Sequence, residues 1–150
     1  MRSFLKYWLP VLIWLAVIFI DSTDLMSAEH TSRIIGPVLR WLNPGISDAA
    51  IAQVQFLVRK AAHLTEYAIL AMLAWRAFRR NARLQRKMSI LFVVVWCGAI
   101  LVAVSDEFHQ SFVASRTSSA RDVMIDSLGA MIGLLFCFIF SRRSGATRST

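Results

Sequence analysis

The chain has 150 residues, of which 57% are hydrophobic and 17% charged, and its formal net charge is +8. Soluble domains average roughly 45–50% apolar and about 25% charged, so an ordinary soluble domain is excluded, as is intrinsic disorder; six Gly and three Pro exclude a collagen-like or linker chain. The bases lie beside apolar runs, and no aromatic-basic segment or nucleic-acid motif accompanies them, so nucleic acid is not an expected partner.

A bilayer core about 30 Å thick takes about 20 helical residues. The first candidate span, about 5–21, contains the apolar run Trp8 to Ile20 behind Arg2 and Lys6. A cleaved signal peptide would need small residues at its cut site. Met26-Ser27-Ala28 has Met in one of those places, so a retained helix is expected.

The connection 22–55 is too long for a bare turn. Ile34, Val38 and Leu42 recur at i, i+4, i+8, with Ile35 and Leu39 beside them and Arg33, Arg40 and Trp41 at the edges. This pattern predicts a short interfacial helix over about 28–42, lying on the outer surface. Pro37 is placed to kink it or to start a second short turn. Asn43-Pro44-Gly45 then breaks the chain. Ser47 is a candidate N-cap with Asp48 in the first turn, for a helix running from 48 to about 79. Its membrane span is about 56–78. The third span is about 89–108 and the fourth about 122–140. The expected fold is all-α, with four transmembrane helices in one membrane domain. Cys97 and Cys137 fall in spans at different depths, so no disulfide is expected.

The charges divide by side. Arg2, Lys6, Arg76, Arg79, Arg80, Arg83, Arg86, Lys87, Arg142, Arg143 and Arg148 have no acid among them, whereas all nine acids lie toward the other side. By the positive-inside rule both termini and the 79–88 connection are cytoplasmic. The Arg76–Lys87 run reads as an inside anchor on anionic lipids.

At about 100° per residue, Arg59, Lys60, His63, Glu66 and Tyr67 form one stripe on the second span. Asp106, His109 and Gln110 share a face of the third, and Asp122, Asp126, Gly129 and Gly133 share a face of the fourth. Asp21 and Ser22 end the first. Turned inward together, these faces would form a polar funnel in the outer half of the bilayer, with Glu66 about 10–15 Å deep. An ionisable group there costs at least about 2.5–3.5 kcal/mol, so such a cluster reads as a functional site. Lys60, Arg59, Arg116 and Arg121 could offset Glu66, Asp106, Asp122 and Asp126.

Several pieces also have purely structural readings. Gly129-x-x-x-Gly133 suits close helix contact. Asp122, three residues after Ser119, suits capping. Tyr67 suits interfacial packing, and Arg59 suits snorkelling to headgroups. Glu107 points away from the Asp106 face and is expected to be solvated at the rim. His30 is expected to be exposed in a loop. His63 and His109 each have a carboxylate on their own face, Glu66 at i+3 and Asp106 at i−3.

The segments Lys60-Ala-Ala-His63-Leu-Thr-Glu66-Tyr67 and Asp106-Glu107-Phe108-His109-Gln110-Ser-Phe112, then Arg116, then Ser119-x-x-Asp122-x-x-x-Asp126-x-x-Gly129, together resemble the VanZ-like family of bacterial membrane proteins. The likeness covers about residues 20–133. Asp21-Ser22 stands where that family commonly has Ser-Ser, and Asp126 where it commonly has Asn. The resemblance implies a small multi-span protein of the bacterial cytoplasmic membrane, related to an accessory factor in glycopeptide (teicoplanin) resistance. It supplies no reaction.

Three functional classes stay open at this point. An enzyme acting on an outer-leaflet, lipid-linked or glycopeptide-related ligand would use Lys60, Arg59 and Arg116 to hold phosphate. His63 or His109 would serve as acid or base, oriented by Glu66 and Asp106. Gln110, Asp122, Asp126 and Ser22 would complete the binding site. Ser22, Ser105 and Ser111 are candidate nucleophiles, none in a nucleophile-elbow setting. A Zn ion could be ligated by two His and two carboxylates, but no H-E-x-x-H or C-x-x-C spacing is present. A non-catalytic protein would use the same pocket to hold a headgroup, glycopeptide or ion, or to dock a membrane partner. A transporter is the third class, and four spans are few for one. Membrane lipids are expected partners, and the oligomeric state is not legible.

Overall fold

The computed structural model describes residues 2–23, 28–80, 87–113 and 118–146, which form five α-helices. These are α1 (Arg2–Asp21), α2 (Ala28–Leu42), α3 (Asp48–Phe78), α4 (Met88–Gln110) and α5 (Ala120–Ala146). The expected spans lie within α1, α3, α4 and α5.

Local chemistry explains the helix ends. Ser47 is extended, with φ −75° and ψ 152°, and its hydroxyl accepts the Ala50 N–H at 3.2 Å, the expected N-cap. Replacing Ser47 with Ala is expected to lower stability by about 1 kcal/mol, read as a shift in a detergent unfolding titration. Arg40 pairs with Asp48 at 2.5 Å across the break, but both side chains are exposed, so this bond adds little. Pro37 sits inside a continuous α2. Pro10 sits inside α1 and has no N–H to give the Lys6 carbonyl. That carbonyl instead accepts from the Arg76 guanidinium at 3.2 Å, so the proline gap becomes an α1–α3 tie.

α3 is the hub, packing on all four other helices. Its 31 residues span about 46 Å. Contacts along the chain fix the directions. Leu64 and Ala68 of α3 meet Gly129 and Gly133 of α5, in parallel register. Trp14 of α1 meets Glu66, and Lys6 meets Arg76, so α1 runs antiparallel to α3. Trp96 of α4 meets Ser127, and Phe92 meets Phe138, so α4 runs antiparallel to α5. The four long helices therefore alternate up and down.

The α3–α5 contact is backbone against backbone. A Cβ on Gly129 would lie 2.2 Å from the Leu64 carbonyl oxygen, and one on Gly133 2.4 Å from that of Ala68. Small residues continue this closeness through the core, with Ala71, Ala99, Ala103 and Ala130 buried around Tyr67, Leu91 and Leu134.

The exterior is apolar, with Leu12, Ile13, Leu101, Phe136 and Ile139 exposed, while seven polar or charged residues are buried among the described residues. That reverses the usual soluble arrangement. Three of the described helices are long and apolar enough to cross a membrane: Phe4–Asp21, Met88–Gln110 and Ala120–Ser141. α3 is longer still but carries Arg59, Lys60, Glu66 and Arg76.

Candidate functional site

Two polar junctions form at the end of the bundle where α1 and α4 finish and α3 and α5 begin. The first joins α1 to α4. Ser22 follows the last residue of α1 and is fully buried. Its Oγ lies 3.2 Å from Nδ1 of His109, and it also interacts with the Asp106 carboxylate. Asp106 accepts a further bond from the Gln110 amide at 3.0 Å. Ser22 thus sits between the His109 imidazole and the Asp106 carboxylate. The Phe19 ring packs on the His109 ring, with centroids 4.8 Å apart.

The second junction joins α3 to α5. His63 Nδ1–H donates to Asp126 Oδ1 at 3.1 Å, with both side chains buried. One turn away, Lys60 Nζ pairs with Asp122 Oδ1. A proton held on Nδ1 leaves Nε2 of His63 as its basic nitrogen.

Glu66 lies between the junctions, half-buried, and interacts electrostatically with Asp21, His63, Asp126 and Asp106. Its backbone carbonyl accepts the Trp14 indole N–H at 2.9 Å. Tyr67 is completely buried, where interfacial packing was expected. Its hydroxyl has no hydrogen-bond partner among the described residues, and neither does Asp126 Oδ2. Four carboxylates, those of Asp106, Asp126, Glu66 and Glu107, act electrostatically on it.

Glu107 corrects the sequence reading. It is 4% exposed rather than solvated at the rim. Its Oε2 accepts the Ser119 backbone N–H at 2.7 Å, just before α5. In a capping box the Asp122 side chain would take that N–H. Glu107 takes it instead, which leaves Asp122 for Lys60. Ser119 still caps, its hydroxyl accepting the Arg121 N–H at 3.2 Å. A helical wheel could not reveal this, because the partner is a backbone group of the next helix. Glu107→Ala is expected to lower stability by about 1–3 kcal/mol by orphaning that N–H, measured by unfolding in mixed micelles.

Among the expected site residues, Ser22, Lys60, His63, Glu66, Asp106, His109, Gln110, Asp122 and Asp126 thus come together at one end of the bundle. They form a packed cluster rather than an open funnel. Ser22 and Asp126 have no exposed surface. Arg116 lies outside the described residues, as do the side chain of His30 and the bases Arg83, Arg86 and Arg148. Arg59 is half-buried beside Lys60 on α3. Ser105 and Ser111 are exposed and donate to their own helix, to the Leu101 and Phe108 carbonyls at 2.8 and 2.6 Å. Among the described residues no group of three or more His, Cys, Asp or Glu is arranged to hold a metal ion. Cys97 and Cys137 are free thiols.

Chemically, the cluster offers two imidazoles tied to acids, one lysine already matched to an acid, and surplus carboxylate oxygens. It can exchange protons and accept hydrogen bonds. No curated protein and no solved structure matches the chain significantly. The family model described as VanZ/LLP1 matches residues 7–141, which include every side chain of the cluster, and the chain belongs to that family.

Proposed function

We propose that α1, α3, α4 and α5 all cross the bacterial cytoplasmic membrane, with both termini and the 79–87 connection in the cytoplasm. Three features support this. The long helices alternate in direction. Arg76 and Arg80 gather over Tyr7, 5.3 and 5.0 Å from its ring centroid, at the end opposite the acids. Two titratable groups of α3 are matched from α5, Lys60 by Asp122 and His63 by Asp126, which offsets the expense of placing them in a span. α2 leaves Ile34, Val38, Trp41 and Leu42 exposed, as suits a helix lying in the outer interface.

In this reading the cluster faces the cell exterior, in the outer half of the bilayer. It binds and acts on the polar part of a cell-envelope lipid or glycopeptide-related ligand, and so contributes to resistance to glycopeptides such as teicoplanin. The observation that carries it is the ionic cluster itself, assembled from four helices with apolar exteriors. His63 and His109 are the acid–base groups. Asp126 orients His63, and Ser22 with Asp106 orients His109. Ser22 bridges the two groups at the end of α1.

The test is expression in a teicoplanin-sensitive host, scored by inhibitory concentration. The wild-type chain is expected to raise it, and His63→Ala, His109→Ala and Glu66→Gln to return it to the vector level at equal protein abundance. Variants that match wild type would overturn the role of the cluster. A second reading, a non-catalytic accessory protein that docks a membrane partner, is favoured by the complete burial of Ser22 and Asp126. Loss of phenotype with retained partner capture would select it.

A further inference from the structure

α1 leans on α3, and α4 on α3 and α5, but α1 and α4 share no extended packing. They meet chiefly where Ser22 and Phe19 touch His109. Below that point the seam between them holds two cavities, of about 310 Å³ and about 250 Å³. Leu15 and Val102 line both, so the two are neighbours along one apolar path. The path starts beside Trp8 and Phe78 and ends at Asp106 and His109. From Val94 to His109 the helix rises about 22 Å, more than the depth of one leaflet of a core about 30 Å thick.

Gly98 lines this path on α4, amid bulky neighbours. It is exposed, and a Cβ added there meets nothing within 4 Å. Unlike Gly129 and Gly133, it does not let another helix close in. It leaves an open notch in the wall of the path. The polar end of the path is acidic: Asp106 lies there, with Glu66 in electrostatic reach of it and His109 beside it. No described Lys or Arg lines either cavity, and Lys60 is taken by Asp122.

We propose that the α1–α4 seam is a lateral slot for one hydrocarbon chain of an amine-headed membrane lipid, whose ammonium group is held at Asp106 with support from Glu66. The proposal rests on the reading of these helices as membrane-crossing, and it narrows the ligand of the cluster to a cationic headgroup. The lipid enters sideways from the bilayer, its tail passing Leu15, Gly98 and Val102.

The test uses the full chain in lipid nanodiscs doped with phosphatidylethanolamine that carries a photoreactive group in mid-chain, or with the matching phosphatidylglycerol probe. Cross-linked peptides are mapped by mass spectrometry. The ethanolamine probe is expected to label α1 and α4 around Leu15 and Val102 about tenfold more than the glycerol probe, the factor that a hydrogen bond to a charged group gives. Gly98→Phe is expected to abolish that labelling, while labelling of the outer face of α5 at Phe136 and Ile139 continues. Asp106→Asn is expected to remove the preference between probes. Equal labelling of the seam by both probes, or seam labelling no stronger than that of the α5 face, overturns the slot, and the wild-type map alone decides this if Gly98→Phe does not fold. No labelling of any helix by either probe would instead refute the membrane-crossing reading beneath it.

Discussion

Gly129→Ala is expected to cost about 3 kcal/mol of stability, the upper part of the range for overpacking a tight contact. The added Cβ would lie 2.2 Å from the Leu64 carbonyl oxygen and 2.9 Å from its carbon. Both are backbone atoms of α3, so no side chain can rotate away. The two helices must separate, and the His63–Asp126 and Lys60–Asp122 pairs lie within about two turns of the contact. Gly133→Ala, at 2.4 Å from the Ala68 oxygen, is expected to behave alike. Gly98→Ala is the internal control: with open space around it, relief of glycine's backbone entropy is expected to add about 0.5–1 kcal/mol. Unfolding of the three variants in mixed micelles checks this. Equal stability of Gly129→Ala and Gly98→Ala would show that α3 and α5 are not in backbone contact.

His63→Ala is expected to cost about 1–3 kcal/mol, the range for leaving a buried polar group without its hydrogen-bond partner. The loss comes less from the missing bond than from Asp126, which is 0% exposed and would keep a buried charge without its partner. Asp126→Asn keeps an acceptor for His63 and removes the charge, so its loss is expected to be much smaller. In the double variant His63→Ala/Asp126→Ala no orphan remains. It is expected to be more stable than His63→Ala alone, a non-additivity of contacting residues. Additive losses across this cycle would mean that the two side chains act independently.

These two results probe what sequence patterns could and could not reveal. Apolar periodicity located the long helices, since a span and its polar face are properties of one segment. The break at Asn43–Gly45 and the Ser47 cap were legible for the same reason. So was the small-residue face of α5, although not its partner. The pairings were not legible. His63 has Glu66 at i+3 on its own face, yet its hydrogen bond goes to Asp126 on α5. His109 has Asp106 at i−3, yet the two are joined through Ser22 of α1. Which acid meets which base depends on the offset between helices, and that offset is set where Gly129 and Gly133 seat on Leu64 and Ala68. Glu107 was misjudged because its partner is a main-chain N–H, which has no sequence signature.

The same arrangement explains how membership in the VanZ/LLP1 family fits one short chain. The K-x-x-H-x-x-E-Y segment and the D-E-x-H-Q segment lie on different helices, and each supplies half of a junction. α3 brings Lys60 and His63 to the acids of α5, and α4 brings Asp106 and His109 to Ser22. Neither segment alone satisfies its buried charges.

The central claim is that polar side chains from separate helices meet at one end of the bundle. Paired-cysteine cross-linking in native membranes tests it most directly. With Cys97 and Cys137 replaced by Ala, the double variant Ser22→Cys/His109→Cys is expected to form an intramolecular disulfide on mild oxidation, because the native Oγ and Nδ1 atoms are 3.2 Å apart. The control pair Ser22→Cys/Phe140→Cys, at opposite ends of the bundle, is expected to remain reduced. A Ser22→Cys/His109→Cys protein that stays reduced like the control would contradict the claim.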